Sequence, residues 1–214
     1  MPGATQQLRF WGAGTSRTMR PIWVAEELGL DYELMPIGPR TGETRTPEYT
    51  TMNPKQKIPF CEDGDFRLSE SLAICRYLTG KYGNAELCYP DDLQLRAMED
   101  EWLCFIYGEL DETSLYVIRR HGALSEIYGE APVAVAAAEQ YVHRQLAVVD
   151  GHLQDRQYLV GERFSLPDVF MMTCLDWVVA YGLDMTATLR QYHADIAMRP
   201  AYQRARAVNT GGQA

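Results

Sequence analysis

The chain has 214 residues, of which 46% are hydrophobic and 23% are charged, a composition typical of a folded globular protein with one large domain or two ordinary ones. Its formal net charge of −9 disfavours nucleic acid and anionic membranes as bulk partners. The sequence contains no uncharged apolar run of the roughly 20 residues that a membrane span needs, and its start lacks the basic and apolar segments of a secretory signal.

The cysteines and histidines suggest neither a disulfide framework nor a metal centre. The five cysteines are scattered, odd in number and without a C-x-x-C pair, which indicates free thiols in a reducing cytoplasm. The four histidines are isolated and show no metal-ligand spacing, so no metal site is predicted. We therefore expect a cytoplasmic protein.

Strands and helices alternate in the first part of the chain. The strands show β-type residues between turn signals, and the helices show apolar residues on one face. The predicted elements are, in order, a strand at residues 7–11, a helix at 18–28, a strand at 31–37, a short helix beginning at Thr46-Pro47, strands at 60–62 and 66–68, and a helix after Ser69. This order predicts a small mixed sheet with helices on its faces.

A proline, a strand hairpin and a helix start follow one another closely in this part. Ile58-Pro59 directly precedes the hairpin, whose strands are joined by an Asp-Gly-Asp turn signal. Ser69 is predicted to cap the following helix, with Glu70 and Ser71 in its first turn. The amides at a helix start lack intrahelical partners and suit a carboxylate, while Glu70 could hold an amino group. The helix start could therefore bind both charged groups of an amino-acid zwitterion.

The pattern changes at Asn84. Residues 84–92 have the character of a linker, and beyond them the pattern is helical nearly to the end. Before one of these helices, Ser165 and Asp168 match a capping box, which we interpret as structural. The predicted helices cover residues 92–121, 132–154, 166–181, 186–196 and 200–208.

These features together resemble the cytosolic glutathione transferases. The proline before the hairpin and the Ser-Glu-Ser helix start are similar to the thioredoxin-fold half of that family, and the Ser165–Asp168 pair is similar to the capping motif of its all-helical half. The resemblance spans residues 8 to about 206. It implies an α/β thioredoxin-like N-terminal domain at 1–83, a linker at 84–92 and an all-α C-terminal domain at 93–214. Taken singly, an ordinary turn proline and an ordinary capped helix would also explain the pattern.

The resemblance also implies a glutathione-binding site. In the family the proline is cis and the Glu-Ser pair holds the γ-glutamyl end of glutathione, which assigns these roles here to Pro59, Glu70 and Ser71. Lys57 and the backbone of Ile58 match the positions that contact the peptide portion of glutathione.

The residue that handles the thiol is Tyr, Ser or Cys in this family, at or just after the end of the first strand. This chain has neither Tyr nor Cys there, and Ser16 stands four residues before Arg20, similar to the S-x-x-x-R of serine-type members. Ser16 is therefore the predicted catalytic residue and Thr15 the alternative, although Ser16 could instead cap the first helix. A hydroxyl that donates a hydrogen bond to sulfur favours the reactive thiolate. Arg17 could add positive charge there or be a solvated loop residue.

The expected function is conjugation of glutathione with a small hydrophobic electrophile bound between the two halves. Trp102, Phe105 and Tyr116 can share a face of the long helix and could contact this substrate, although aromatic residues at such spacing more often form core. The alternatives are a glutathione-dependent peroxidase or reductase and a non-catalytic interaction module of the same fold.

The family resemblance also implies a homodimer. An apolar stretch on either side of the linker could form its interface or fill the joint between the domains of one chain. The interface candidates are Phe60, Tyr77, Tyr82, Met98 and Trp102.

Overall fold

The computed structural model describes residues 8–211, which form two compact units. The first unit extends to Tyr89 and includes the chain again from Met198, and the second is Pro90–Ala197. Three predicted bounds lie outside the described residues: the domain bounds at residues 1 and 214 and the start of the first strand at residue 7. The same holds for the N-terminal segment in which no secretory signal is expected.

The first unit is built on a four-stranded mixed sheet. β1 is parallel to β2 and antiparallel to β3, and β3 pairs with β4 as a hairpin. A parallel pair needs a crossover connection, and here a helix provides it, as the sequence pattern predicts. The strands, in the order β2-β1-β3-β4 across the sheet, are β2 (Tyr32–Met35), β1 (Leu8–Trp11), β3 (Phe60–Asp63) and β4 (Phe66–Ser69).

Helices cover this sheet and form the core of the unit with it. Trp23 of the first helix and Ile74 of the third are fully buried, and these two helices pack together. A one-turn 3-10 helix, Glu43–Arg45, precedes the short second helix. The helices are α1 (Ser16–Leu28), α2 (Pro47–Met52) and α3 (Ser71–Tyr82).

The second unit is all-helical, as predicted. Its first predicted helix, over 92–121, is interrupted by π-helical turns in the structure, where the Ser114 hydroxyl donates to the carbonyls of Glu109 (2.8 Å) and Leu110 (2.9 Å). The elements are α4 (Leu93–Phe105), a π-helix (Ile106–Leu115), α5 (Tyr116–Ile118), a second π-helix (Arg119–Ala123), α6 (Ser125–Tyr128), α7 (Pro132–Leu153), α8 (Leu166–Ala180) and α9 (Ala187–Ala197).

Helix α8 forms the centre of the second unit. Every residue from Leu166 to Leu175 is buried, as expected of a helix that is apolar on all sides. The predicted capping box at its start is present: the Ser165 amide donates to the Asp168 carboxylate across 2.8 Å. Within residues 8–211, no helix is both long and apolar enough to cross a membrane.

The last helix, α10 (Pro200–Asn209), packs on α1 of the first unit. Arg199 binds the Glu27 carboxylate through two hydrogen bonds of 2.7 and 2.8 Å, and the rings of Trp23 and Tyr202 meet edge to face. The position of α10 in the sequence groups it with residues 93–214, whereas its contacts group it with the first unit.

Candidate active site

The loop after β1 carries the hydroxyls predicted to meet the thiol, and Gly12 fixes how it leaves the sheet. The Gly12 amide donates to the Met35 carbonyl across 2.9 Å. Its φ is +110°, and a Cβ at this position would lie 2.5 Å from the Cβ of Ile58. The loop therefore passes directly against the Ile58-Pro59 segment, and only glycine fits at this position.

Helix α1 begins at Ser16, two residues before its predicted start, and Thr15 is its N-cap. The Thr15 hydroxyl accepts from the Thr18 amide across 3.0 Å, and the Thr18 hydroxyl accepts from the Thr15 amide at the same distance. This is a capping box, so the alternative in which Ser16 caps the helix is wrong. Within residues 8–211 the Ser16 hydroxyl makes no hydrogen bond.

Arg20 lies one turn further along α1 and is fully buried. Its Nη1 donates to the hydroxyl of Ser71 across 3.5 Å. The helix that carries Ser16 is therefore linked through Arg20 to the start of α3.

The start of α3 differs from the prediction. Ser69 is not the N-cap, because the β3–β4 ladder continues until Phe60 pairs with Ser69 and keeps the chain extended. Glu70 takes the cap position with φ +75° and ψ 119°, an unusual backbone conformation for a residue other than glycine. Among the residues that the structure describes, no side chain caps this helix. Its first-turn amides and the Ser71 hydroxyl thus lie at the same helix end as the Glu70 carboxylate.

The segment before β3 contains the remaining predicted binding residues. The Ile58-Pro59 peptide bond is cis. The Lys57 carbonyl accepts hydrogen bonds from the Tyr49 hydroxyl (2.7 Å) and from the Asn53 side chain (2.8 Å), which fix the backbone just before Ile58. Within the described part of the chain, neither the amide nor the carbonyl of Ile58 is hydrogen bonded. The side chain of Lys57 is exposed.

Two buried cysteines of this unit do not readily form thiolates. Burial raises the pKa of Cys61 to about 12, with smaller contributions from the nearby carboxylates of Asp63 and Glu62. Burial also raises the pKa of Cys75. Within residues 8–211 no group of three or more His, Cys, Asp or Glu residues could hold a metal ion.

Sequence reasoning missed one residue that contacts the loop before Ser16. Asn209, the last residue of α10, binds Gly14, Thr15 and Thr18 through its side chain. These contacts join positions more than 190 residues apart in the chain, so no local pattern predicts them.

The aromatic residues predicted on the long helix are half-buried in the second unit. The Trp102 ring packs on the rings of Phe105 (5.6 Å between centroids) and His152 (4.5 Å), and Tyr116 begins α5.

Of the interface candidates of the first unit, Phe60 is buried, whereas Tyr77 and Tyr82 are half-buried. Phe60 is only 3% exposed and packs against Tyr49, so it cannot contact another copy of the chain. The hydroxyls of Tyr77 (2.7 Å) and Tyr82 (2.6 Å) both donate to the Asp63 carboxylate.

Comparison with known proteins supports both units. The family model of the glutathione S-transferase N-terminal domain matches residues 6–80, and that of the C-terminal domain matches residues 97–207. Glutathione S-transferase theta-1 of Bos taurus is 33% identical over 171 residues, which cover 78% of this chain and 71% of that protein.

Solved structures agree with these matches. The theta class glutathione S-transferase of Xanthomonas axonopodis pv. citri, with glutathione bound, has a TM-score of 0.80 at 28% identity and covers 94% of this chain and 97% of its own. A glutathione transferase from Phanerochaete chrysosporium, solved with oxidized glutathione, has a TM-score of 0.86 at 20% identity and covers 98% and 97%. The second likeness concerns the fold alone, and it confirms the predicted fold of a thioredoxin-like domain followed by an all-helical domain.

Proposed function

Because this chain belongs to the glutathione S-transferase family, we propose that it conjugates the thiolate of glutathione to small hydrophobic electrophiles. The thiolate is the nucleophilic form of glutathione, and an electrophile held beside it reacts faster because the two need not find each other in solution. The chain must therefore bind the peptide, favour the thiolate and hold the second substrate.

The start of α3 would bind the γ-glutamyl end of glutathione. The Glu70 carboxylate is suited to its amino group, and the Ser71 hydroxyl with the first-turn amides to its carboxylate. This division is supported by α3 having no capping side chain from residues 8–211, because uncapped amides at a helix start carry partial positive charge and need an acceptor.

The Ile58-Pro59 segment would bind the peptide portion. Ile58 offers an amide and a carbonyl that are free within residues 8–211, and an extended peptide can pair with both. Lys57 precedes it with an exposed ammonium group that could meet a carboxylate of the ligand. Pro59 belongs to the same set, because it connects Ile58 to β3.

Ser16 would donate a hydrogen bond to the sulfur of glutathione. The observation that carries this role is that the Ser16 hydroxyl is unpartnered within the described residues, whereas the Thr15 hydroxyl is used in the capping box. A hydrogen bond to the charged form lowers the pKa of the thiol. Thr15, as the N-cap, would fix where α1 begins. Arg17, in the first turn of α1, would add positive charge near the sulfur.

The second substrate would contact the helical unit. Trp102, Phe105 and Tyr116 are half-buried aromatic side chains of α4 and α5, and we propose them for its apolar part. Such a surface suits a small hydrophobic electrophile.

Glutathione binding and product analysis test this function. A ligand at about 100 times its dissociation constant stabilises the folded chain by about 2.7 kcal/mol, so millimolar glutathione should raise the melting temperature by several degrees. The enzyme should then form a thioether from an aryl halide. Oxidised glutathione formed from a hydroperoxide, without the thioether, would indicate a peroxidase instead. An unchanged melting temperature would favour a non-catalytic interaction protein.

We further propose that the protein is a cytoplasmic homodimer. Two exposed apolar features support a second copy of the chain as partner. In the first unit the ring of Phe66 is 46% exposed and stacks on Tyr77 at 4.7 Å. On α4 of the second unit, Leu93 and Met98 are exposed.

A further inference from the structure

Asn209 at the end of α10 faces the loop that leads to Ser16 and is only 8% exposed. Its Oδ1 accepts hydrogen bonds from the Gly14 amide (3.1 Å) and the Thr18 hydroxyl (2.7 Å). Its Nδ2 donates to the Thr15 carbonyl (3.2 Å), and its own carbonyl accepts from the Gly14 amide (2.8 Å). The side chain thus contacts the loop just before Ser16 and the helix turn just after it.

We propose that Asn209 is a positioning residue for the thiol site, which fixes the loop so that the Ser16 hydroxyl is held toward the glutathione sulfur. This inference rests on the proposed function of Ser16. It adds a contribution from helix α10 that the family assignment does not supply. Asn209 itself touches neither substrate in this scheme.

The pattern of donors and acceptors is fixed by the bonds that Asn209 makes. The Gly14 amide can only donate, so the side-chain atom facing it must be the oxygen of Asn209. The two nearest acceptors for the single proton of the Thr18 hydroxyl are Oδ1 of Asn209 (2.7 Å) and the Thr15 carbonyl (2.8 Å). That carbonyl already accepts from the Met19 amide (3.0 Å) and from Nδ2, which occupy both of its lone pairs, so the proton goes to Oδ1.

This arrangement determines the direction of the next bond. With its proton committed to Asn209, the Thr18 hydroxyl accepts from the Thr15 amide and from the Thr15 hydroxyl, each at 3.0 Å. The Thr15 proton is then used inside the capping box. Among these three hydroxyls, Ser16 alone keeps a proton that can be donated to sulfur.

Helix α10 provides a rigid base for these contacts. The paired hydrogen bonds from Arg199 to Glu27 hold the start of α10 against α1. Asn209 closes the other end of the same helix, so the loop is fixed relative to the helix that begins at Ser16. A hydroxyl that moves away from the sulfur by about 1 Å loses much of its effect on the reaction.

The test compares Asn209→Ala with the matched control Thr210→Ala. Thr210 is the neighbouring exposed residue, and its hydroxyl donates within α10 to the Arg206 carbonyl (2.9 Å). The readouts are the pKa of the bound glutathione thiol, from thiolate absorbance against pH, the kcat with an aryl halide, and the glutathione Kd. In Asn209→Ala we expect the thiol pKa to rise by about one unit and kcat near neutral pH to fall about tenfold, with Kd changed less than about threefold. Thr210→Ala should match the wild type.

A thiol pKa and kcat equal to wild type in folded Asn209→Ala would overturn the proposal. If Asn209→Ala does not fold, Asn209→Ser, which keeps a small hydrogen-bonding group, replaces it. Failure of both variants to fold would assign Asn209 to stability and also overturn the positioning role.

Hydrogen exchange separates this inference from the proposed function. In the ligand-free protein the Gly14 amide should exchange about tenfold faster in Asn209→Ala than in wild type, because local opening of the loop becomes easier. This measurement needs no glutathione. A wild type that neither binds nor conjugates glutathione would refute the proposed function, whereas unchanged Gly14 exchange would refute the anchoring by Asn209.

Discussion

The ammonium group of Lys55 donates a hydrogen bond to the carboxylate of Glu70 across 3.0 Å. Both side chains are about half exposed, at 56% and 53%, so the pair contributes little to stability. An exposed pair of this kind can open without large cost. In the ligand-free protein Lys55 therefore occupies the carboxylate that we assign to the amino group of glutathione.

The first prediction concerns this carboxylate. Glu70→Ala should raise the glutathione Kd by about 10- to 100-fold, because a hydrogen bond to a charged group contributes about 1.5–3 kcal/mol. The kcat at saturating glutathione should change only a few-fold, since Glu70 does not contact the sulfur in the proposed site. Isothermal titration calorimetry and steady-state kinetics measure the two quantities.

Lys55→Ala is the control for this prediction. It removes the partner of Glu70 and keeps the carboxylate, so its glutathione Kd should lie within about fivefold of wild type, as expected for a surface ion pair. Equal losses of affinity in Lys55→Ala and Glu70→Ala would contradict the assignment of Glu70 to the amino group.

The second prediction concerns the thiol. Ser16→Ala should lower kcat by at least about tenfold and raise the pKa of the bound thiol, because the hydrogen bond to the thiolate is lost. The glutathione Kd should change much less, since Glu70 and Ser71 remain. Stopped-flow or steady-state conjugation of an aryl halide, recorded against pH, measures the effect.

Thr15→Ser serves as the matched variant for Ser16→Ala. Serine caps helices about as well as threonine, so this variant should keep near wild-type turnover. Unchanged turnover in Ser16→Ala would eliminate Ser16 as the thiol-contacting residue, and Thr15 would be tested next.

The hairpin and the helix start after it show what the sequence could predict. Alternation of β-type residues with an Asp-Gly-Asp turn located β3 and β4 to within one residue. The sequence predicts the N-cap at Ser69, because serine is a good N-cap by local preference, and this prediction is wrong. Pairing of Ser69 with Phe60 overrides that preference and moves the cap to Glu70.

Long-range contacts set the limit of prediction within the site. Ser16, Glu70 and Ser71 follow from motifs of a few residues, since each stands at a helix start. Asn209 acts across the whole chain length, and α10 that carries it has the pattern of an ordinary surface helix. Its role depends on packing against α1, which periodicity does not specify.

The third prediction concerns acid stability. Burial raises the pKa of Asp63, but hydrogen bonds from Lys81, Tyr82 and Tyr77 outweigh it and hold the pKa below its ordinary value. A carboxyl group whose pKa is lowered by folding stabilises the folded state fully at pH values above its unfolded-state pKa of about 3.9. This stabilisation is lost as the pH falls through the folded-state pKa. Asp63→Asn should therefore show a shallower loss of unfolding free energy below about pH 4 than wild type.

Urea unfolding at pH 6 and at several lower pH values measures this difference. Asp65→Asn in the exposed turn of the hairpin is the control, and it should follow the wild-type curve. Parallel curves for wild type and Asp63→Asn would show that the Asp63 cluster does not contribute to acid sensitivity.

The fourth prediction concerns the core of the second unit. The fully buried Asp168 carboxylate accepts from the amides of Leu159 (3.0 Å) and Ser165 (2.8 Å) and from the Tyr192 hydroxyl (2.7 Å). Asp168→Ala leaves these donors unpaired at about 1–3 kcal/mol each, so the unfolding free energy should fall by at least about 3 kcal/mol.

Ser165→Ala removes one side of the same capping box and should cost only about 1 kcal/mol. The contrast separates the cap from the wider network, since Asp168 also reaches α9 through Tyr192. Equal melting temperatures for Asp168→Ala and Ser165→Ala would show that the contacts to Leu159 and Tyr192 add nothing.

The last prediction concerns the homodimer. The ring of Phe66 is an exposed apolar side chain on the edge strand β4. In a two-fold symmetric dimer, Phe66 of both copies would lie in the interface. We expect wild type to show twice the single-chain mass by light scattering at micromolar concentration, because a specific dimer buries at least about 1,000 Å².

Phe66→Glu should shift the mass toward that of one chain, because a charge buried without a partner is costly. Val133→Glu on α7, at an apolar residue that is 85% exposed, should leave the dimer intact. A wild-type mass of one chain would refute the dimer and leave the glutathione site unaffected. A Phe66→Glu protein that stays dimeric would place the interface elsewhere on the molecule.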